Sequence, residues 1–270
     1  MKKRVVLFFA IILLIITAVL LTHTNRLGTT EYRYISRKVP AAFQGYRIAQ
    51  IADLHNDDLG DPAILLHALQ EAKPDLIVIT GDMIDARKTD VKTALDFAAQ
   101  FVQIAPTYYI NGNHEWVAAY AALKQGLKDR GVTVLEDASV RVEKDGAFFH
   151  LAGVVDPFLA DRLLTDRLAD TLPQDGVLTI LLSHRPERLE AYAEAGTDLV
   201  FAGHAHGGQI RLPFIGAIYA PHQGLFPAYT EGMHTMNQTT LVISRGIGNS
   251  LFPLRINNPP ELVVVKLQRP

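Results

Sequence analysis

The chain begins with an apolar run behind a basic tip. Residues 1–4 read MKKR, and Val5 to Leu21 form an uncharged stretch of 17 residues interrupted only by Thr17. A helix that crosses a bilayer needs about 20 apolar residues, within a range of about 17–25. Cleaved signal peptides have a shorter apolar region of about 7–15 residues, and no A-x-A-like site follows this run. We therefore predict an uncleaved membrane anchor over residues 1–22, with a cleaved signal peptide as the alternative.

The basic tip also predicts how this anchor is oriented. Positive residues flanking a membrane helix tend to stay in the cytoplasm, which would place the rest of the chain outside. Four basic residues on the other flank weaken this assignment and could instead hold the chain close to anionic lipid: Arg26, Arg33, Arg37 and Lys38. The expectation is a single-pass membrane protein whose main body is extracytoplasmic.

The rest of the pattern predicts a connector and one α/β domain. Residues 23–44 form the connector, with a short edge strand near Tyr32–Ser36. Over residues 45–270, apolar runs of strand length alternate with amphipathic helical stretches. The main predicted strands are Ile48–Ala52, Leu76–Thr80, Tyr108–Ile110, Val177–Leu182 and Leu199–Ala202. The predicted helices are Asp61–Glu71, Val91–Ile104, Val117–Arg130 and Pro186–Ala195.

Two further regions are predicted to be β structure. Asp145-Gly146 separates Val140–Lys144 from Ala147–Val154, which is a strong hairpin signal. After Gly203, short strands between Gly, Pro and Asn turns dominate, and the clearest are Leu241–Ser244 and Leu262–Leu267.

Each of the five main strands ends in polar residues that can bind metal or phosphate. Ligands of open α/β sheets bind at the carboxyl ends of the strands. Five adjacent strands would therefore deliver eight side chains to one rim: Asp53, His55, Asp82, Asn113, His114, His184, His204 and His206. Alone, a D-x-H, a G-D, a G-N-H-E or an H-x-H segment is often only a turn or a chance match. Their joint occurrence at successive strand ends favours a metal site.

The spacing and type of these residues support that interpretation. Positions i and i+2 of an extended segment face the same way, so Asp53 and His55 can form one pair, and His204 and His206 another. The candidate ligands are imidazole nitrogens and oxygens without sulfur, which suits Mn, Fe or Zn, and Mg less well.

Composition narrows the chemistry and the partners. The formal net charge is −2, and without the basic tip the body has 23 basic and 28 acidic side chains. This charge balance lacks the excess of basic residues that is typical of nucleic-acid-binding proteins, so no nucleic-acid partner is expected. The chain has no cysteine, which excludes disulfides, thiolate metal sites and a cysteine nucleophile. The oligomeric state is left open.

The ordered motifs resemble the calcineurin-like metallophosphoesterase superfamily. Its pattern is D-x-H, G-D, G-N-H-D/E, a later H and then G-H-x-H, and all five blocks are present between about residues 46 and 267. The segments Gly203–Gln209, Ser244–Gly248 and Pro260–Leu262 resemble one bacterial branch whose domains follow a membrane segment or export signal. That branch includes phosphodiesterases and enzymes that cleave UDP-2,3-diacylglucosamine in lipid A synthesis. The resemblance implies a four-layer αββα sandwich, with a dinuclear metal site at the strand carboxyl ends, in a protein of the bacterial inner (cytoplasmic) membrane.

The same resemblance implies a role for each residue. One divalent ion would be held by Asp53, His55 and His206, and the other by Asn113, His184 and His204. Asp82 would bridge the two ions, and a hydroxide between them would attack phosphorus. His114 would be the catalytic histidine, which stabilises the phosphoryl group or protonates the leaving oxygen.

Other residues receive weaker assignments. Arg185, Arg245 and Arg255 are candidate substrate contacts, with salt bridges as the alternative, and Glu115 is assigned a structural role. His67 is expected to be a surface or packing histidine, and His150 to lie in the core or at an edge. His222 and His234 lie in the loop-rich segment 213–236, for which simple packing is favoured over a lid or a lipid-facing surface.

The leading functional hypothesis is a hydrolase of a phosphodiester or pyrophosphate bond in a phosphate-containing small molecule or lipid. A UDP-lipid such as UDP-2,3-diacylglucosamine would require a cytoplasmic body, whereas an extracytoplasmic body favours a wall polymer, a phospholipid head group or a scavenged nucleotide. The alternatives are a nuclease or nucleotide phosphohydrolase that uses the same site, and a non-catalytic metal-binding membrane scaffold.

Overall fold

A computed structural model describes residues 2–23, 26–157, 163–249 and 255–270. The first part of the chain forms α1 (Lys2–His23), β1 (Gly28–Ile35), β2 (Arg47–Ile51), α2 (Pro62–Ala72), β3 (Leu76–Thr80), α3 (Val91–Ile104), β4 (Thr107–Ile110), α4 (Tyr120–Asp129), β5 (Thr133–Val134), β6 (Ala138–Lys144) and β7 (Ala147–Gly153). The second part forms α5 (Leu163–Thr171), β8 (Thr179–Leu182), α6 (Leu189–Glu194), β9 (Leu199–Ala202), β10 (Arg211–Leu212), β11 (Gly216–Ala217), β12 (Tyr219–Ala220), β13 (Gly224–Leu225), β14 (Gly232–Met236), β15 (Thr239–Ile243) and β16 (Glu261–Gln268).

Two mixed six-stranded sheets form the body. Their strand orders are β1-β16-β2-β3-β4-β5 and β14-β15-β9-β8-β7-β6. The prediction that five adjacent strands carry the polar ends is therefore wrong. Strands β2, β3 and β4 are neighbours in the first sheet, whereas β8 and β9 are neighbours in the second. Alternation of apolar residues marks a strand, but it does not state which sheet the strand joins.

The core consists of three apolar layers. Ile77 and Ile79 of β3 pack with α2, α3 and α4 on the outer face of the first sheet. Their neighbours Leu76 and Val78 pack against the second sheet, because successive strand residues point to opposite faces. Leu181 of β8 belongs to the third layer, together with residues of α5 and α6. The predicted α/β fold is confirmed, with an order of helices, sheet, sheet and helices.

The boundaries of several elements differ from the prediction. Strand β1 begins at Gly28 rather than near Tyr32, and it pairs in parallel with β16 at the edge of the first sheet. Helix α4 begins at Tyr120, after a 3₁₀ turn over Asn113–Glu115. The predicted helix 186–195 is a 3₁₀ turn over Pro186–Arg188 followed by the short α6. Helix α5 was not predicted at all.

Helix α1 covers most of the predicted anchor. Its described side chains from Val5 to Leu14 include eight exposed large apolar residues. Within the described ranges, no helix has the length and hydropathy that a bilayer span requires. The anchor over residues 1–22 stays a prediction; Met1 and the side chains of residues 15, 16 and 18–22 lie outside what the structure describes.

Candidate metal centre

The loops after β2, β3, β4, β8 and β9 bring the predicted ligands from both sheets into one buried site. Six of the side chains are buried: Asp53, His55, Asp82, His184, His204 and His206. Five of these residues have a left-handed backbone with φ between 48° and 68°: Asp53, His55, Asp82, His204 and His206. Non-glycine residues rarely adopt this conformation, and strain of this kind is concentrated at functional sites.

The first group of ligand atoms comprises Asp53, His55 and His206, whose ligand atoms lie within 4.8 Å of one another. The Nε2 atoms of His55 and His206 face each other at 3.1 Å. Asp53 Oδ1 lies 3.9 Å from His206 Nε2. This is the set that the sequence assigned to one divalent ion.

The second group comprises Asp82, His184 and His204, again within 4.8 Å. His184 Nε2 lies 3.2 Å from Asp82 Oδ2 and 3.1 Å from Asn113 Oδ1. Asp82 Oδ2 is also 3.6 Å from His55 Nε2 in the first group. Asp82 therefore lies between the two groups, which is where a bridging ligand belongs.

A backbone carbonyl orients His184. Its Nδ1 atom is 2.8 Å from Thr80 O, and an imidazole can only donate to a carbonyl oxygen. The bond fixes one proton on Nδ1, so Nε2 is the atom that faces an ion. Although burial acts to lower it, the Asp82 charge raises the pKa of His184 to about 10, and a bound ion would take the place of the Nε2 proton. Outer contacts of this kind fix the tautomer of histidine ligands.

Two glycines make room for the carboxylates. A Cβ atom at Gly112 would lie 2.3 Å from Asp82 Oδ1, and one at Gly203 would lie 2.9 Å from Asp53 Oδ2. Asp53 accepts hydrogen bonds from the backbone N–H of His204 at 3.0 Å. The glycine-containing motifs therefore serve close packing between loops of different strands.

Glu115 connects two of these loops. Its buried carboxylate accepts hydrogen bonds from the backbone amides of Asp82 (2.9 Å), Met83 (2.8 Å), Ile84 (3.3 Å) and Gly112 (2.7 Å). Burial raises the pKa of Glu115 to about 8, and the nearby Asp82 charge adds to this effect, while the amides act in the opposite direction. The predicted structural role matches these contacts.

The charge balance of the site fits bound cations. Burial raises the pKa of Asp53 to about 7 and lowers that of His55 to about 4. Burial also lowers the pKa of His206 well below its ordinary value. Neutral imidazoles facing one another beside buried carboxylates offer lone pairs and negative charge in one place. Divalent ions with nitrogen and oxygen ligands satisfy both.

His114 lies at the edge of the site. Its ring is 4.4 Å from that of His55 between centroids, and its side chain is part-exposed. The backbone N–H of Ala86 donates to His114 Nδ1 at 3.1 Å, so a neutral ring carries its proton on Nε2. The backbone N–H of His114 donates to Asp82 Oδ1 at 2.8 Å, which ties this residue to the shared aspartate.

Comparison with known proteins assigns the family. The model of the calcineurin-like phosphoesterase family matches residues 46–208. The uncharacterized metallophosphoesterase YkuE from Bacillus subtilis is 32% identical over 255 residues, which cover 90% of this chain and 86% of the relative. The chain belongs to the calcineurin-like phosphoesterase family. As a member it is a metal-dependent phosphoester hydrolase, and the family implies a dinuclear site for divalent ions.

Two other proteins are similar to this calcineurin-like phosphoesterase. Phosphodiesterase YaeI from Escherichia coli is 28% identical over 229 residues, with 82% of each chain covered. Among solved structures, phosphopantetheinyl hydrolase from Mycobacterium tuberculosis has a TM-score of 0.49 and 12% identity, covering 74% of this chain and 89% of that one.

Next to the metal ligands, this calcineurin-like phosphoesterase has the salt bridge that was the alternative assignment for Arg185, but it is buried, and the sequence did not identify its partner Asp156. Arg185 Nε and Nη2 donate to the two carboxylate oxygens of Asp156 at 2.6 and 3.0 Å. Arg185 Nη1 lies 3.0 Å from His204 Nε2 and 2.8 Å from His222 Nδ1. Asp156 could have been found, because it follows an apolar strand as the other site residues do. His222 is in no motif, and only the fold brings it to the site.

The other two arginines have partners of their own. Arg245 Nη2 donates to Glu261 at 3.0 Å and lies near Glu231. Arg255 is buried, and its guanidinium donates to the backbone carbonyls of residues 245, 246 and 248. Burial lowers the pKa of Arg255 to about 10. Substrate contact by Arg185, Arg245 and Arg255 stays a prediction.

The remaining histidines lie where the sequence placed them or nearby. His67 is exposed on α2. His150 is buried on β7, with Nε2 2.8 Å from Asp175. His234 Nε2 lies 2.9 Å from the backbone oxygen of Glu231.

Proposed function

We propose that the protein hydrolyses a phosphodiester or pyrophosphate bond in a lipid-linked substrate. The observation that carries the proposed chemistry is the convergence of two groups of buried ligand atoms on Asp82, with His114 beside them. When bound, two divalent ions would supply Lewis acidity, positive charge and a water of lowered pKa. His114 would hold its proton on Nε2, ready to bond a phosphoryl oxygen or to protonate the leaving oxygen.

The pairing of the arginines favours a diester over a monoester. A monoester carries more negative charge at its phosphoryl group and needs more cationic contacts. Arg185 is held by Asp156, Arg245 by Glu261, and Arg255 by backbone carbonyls. A monoanionic diester, or a pyrophosphate substituted at both ends, needs little beyond the metal ions. The relative named phosphodiesterase YaeI also supports this choice.

The membrane part of the proposal rests on the N-terminal sequence. The 17-residue uncharged run behind the MKKR tip would anchor the chain in the inner membrane with its body outside. Lipid-linked phosphodiesters and pyrophosphates would then be neighbours of the site. UDP-2,3-diacylglucosamine is a candidate only if the body is cytoplasmic. Reporters that are active in only one compartment, fused to each terminus, would decide the orientation.

A substrate assay tests the chemistry. Hydrolysis of bis-p-nitrophenyl phosphate by the metal-free protein should appear on addition of Mn²⁺ or Zn²⁺. His114→Ala should lower turnover by at least about 100-fold, the lower part of the usual range for a general acid. Metal content should stay at two ions per chain in both proteins. His67→Ala is the matched control, because His67 lies exposed on α2, and it should leave turnover unchanged. Full activity in His114→Ala would contradict the proposal.

A further inference from the structure

Exposed apolar side chains are concentrated in one short segment of the body. Outside α1, the described residues include nine exposed large apolar side chains, of which six fall between positions 212 and 226: Leu212, Phe214, Ile215, Tyr219, Leu225 and Phe226. Single exposed apolar residues are ordinary, whereas a contiguous group of this kind usually marks an interaction site. We call residues 210–226 the hairpin unit.

The hairpin unit is a small three-stranded arrangement. Strand β10 pairs with β11, and β12 pairs with β13, both antiparallel. The two hairpins are joined at Ile218, whose N–H donates to Ile210 O and whose carbonyl accepts from Phe226 N. The middle segment, residues 216–220, thus has a neighbour on each side. Its two turns, residues 213–215 and 221–223, lie at opposite ends.

One end of the hairpin unit touches the metal centre. His222, in the turn between β12 and β13, has Nδ1 3.0 Å from His204 Nε2. Phe214, in the other turn, is fully exposed. Phe214 and Phe226 also have a left-handed backbone that bulky residues rarely adopt. The unit therefore extends from the site outward, and its outer turn carries the aromatic side chain of Phe214.

The N-terminal segment also enters the body near the metal centre, at the corresponding end of the first sheet. Gly28, the first residue of β1, pairs with Glu261, whose carboxylate bonds Arg245 close to the site. Ile35, the last residue of β1, pairs with Gln268. Eight residues of strand span about 25 Å, so Ile35 lies at the opposite end of the sheet. An N-terminal anchor would therefore leave the site end of the body near the bilayer.

The charge of the hairpin unit also fits contact with the lipid bilayer. From Arg211 to Tyr229 there is no acidic residue, in a chain whose formal net charge is −2. Negative lipid head groups would meet no like charge along this segment. An apolar surface without acidic residues suits insertion into the head-group and acyl boundary, to a depth of about 5–10 Å.

We infer that the hairpin unit is a second membrane contact, which inserts Phe214 and its apolar neighbours into the bilayer surface and holds the metal centre at the lipid head groups. The inference rests on the membrane attachment in the proposed function, but it assigns a different surface. It also explains why apolar side chains are exposed beside a site for a charged substrate.

Site-directed spin labelling of the full-length chain tests the inference. The chain has no cysteine, so one introduced cysteine can be labelled selectively. Phe214→Cys and Leu225→Cys place labels on the hairpin unit. Ile35→Cys is the matched control, because Ile35 is 59% exposed and Leu225 is 69% exposed. Each labelled protein is reconstituted into vesicles of phosphatidylethanolamine and phosphatidylglycerol. Collision with oxygen, which partitions into lipid, is compared with collision with a water-soluble nickel chelate.

The outcomes distinguish a failure of this inference from a failure of the predicted anchor or of the proposed catalytic activity. Labels at positions 214 and 225 should favour oxygen, whereas the label at position 35 should favour the nickel chelate. If all three favour nickel while the protein floats with the vesicles, the inference is overturned and the anchor stands. If the protein does not float, the inference and the anchor both fail, and hydrolysis of the soluble diester still tests the catalytic proposal. Dipolar broadening between labels at position 225 would show a contact between two copies of the chain and would also overturn the inference.

Discussion

Glu115→Gln tests whether this side chain holds the metal-binding loops together. The substitution is nearly isosteric, but the glutamine offers one accepting oxygen and one NH₂ donor. Each oxygen of the Glu115 carboxylate accepts from two backbone amides: Met83 and Ile84 on Oε1, Asp82 and Gly112 on Oε2. Whichever way the glutamine turns, its NH₂ faces two buried amide donors that lose their acceptor.

A buried donor without a partner costs about 1–3 kcal/mol. Two such donors would cost about 2–6 kcal/mol, so we predict that the free energy of unfolding falls by about 4 kcal/mol. Urea unfolding of the metal-free protein at about pH 9, where Glu115 is ionised because its pKa is about 8, measures this loss by circular dichroism without any contribution from metal binding. Metal content at fixed Mn²⁺ concentration should also fall, because the Asp82 loop loses its support.

The control and the refuting result are both simple to obtain. Glu143→Gln makes the same chemical change at an exposed position on β6 and should alter stability by less than about 0.5 kcal/mol. A loss below about 1 kcal/mol in Glu115→Gln, with normal metal content, would show that the carboxylate is not needed to hold the loops. The assignment of Glu115 as a structural residue would then be refuted.

Three other predictions concern the same site. Gly112→Ala should lower turnover by about 100-fold, because its Cβ would lie 2.3 Å from Oδ1 of the shared aspartate; Gly146→Ala, in open space at φ +77°, should cost only about 1 kcal/mol of stability and no activity. Since burial raises the pKa of Asp53 to about 7, protons should compete with cations below that pH, and calorimetry should show that metal affinity loses an additional factor of about ten per pH unit below pH 7, compared with its pH dependence above it. Arg185→Met should lower the free energy of unfolding in urea by about 3–5 kcal/mol, because the buried Asp156 carboxylate loses its cationic partner. The double variant Arg185→Met/Asp156→Leu should recover most of that loss.

Each of these has an outcome that would contradict it. Normal turnover in Gly112→Ala would mean that the loops have space that the structure does not show. A metal affinity with the same slope on both sides of pH 7 would mean that Asp53 is ionised throughout. A double variant no more stable than Arg185→Met alone would mean that the loss does not come from the unpaired carboxylate.

The sequence predicted well which residues the strand ends bring together, for a physical reason. Strand β3 was predicted to the residue, because Leu76–Thr80 is a buried apolar run that ends at a glycine. Ligands of α/β sheets bind at the carboxyl ends of the strands, and the eight candidate site residues were identified from that rule. The G-N-H-E block also placed Glu115 correctly as a structural residue.

What the sequence missed depends on long-range pairing. Nothing in the runs before His184 and His204 states that β8 and β9 lie in a second sheet. Helix α5 has only 9 residues, so its amphipathic pattern extends over fewer than three turns and is easily missed. His222 reaches His204 only because the hairpin unit folds back over 18 positions. Local patterns record burial and turns, whereas these contacts are set by the packing of distant segments.

The position of β1 has a practical consequence for producing a truncated protein. Gly28 and Thr29 pair with Glu261 and Leu262, so a fragment that starts near Thr30 would remove the first two rungs of this ladder. Uncovering the backbone of β16 would create a free edge at Glu261 and Leu262, and free edges of this kind recruit strands from other molecules. Deletion of the apolar N-terminal run should therefore stop before residue 28, and a fragment cut further in should aggregate.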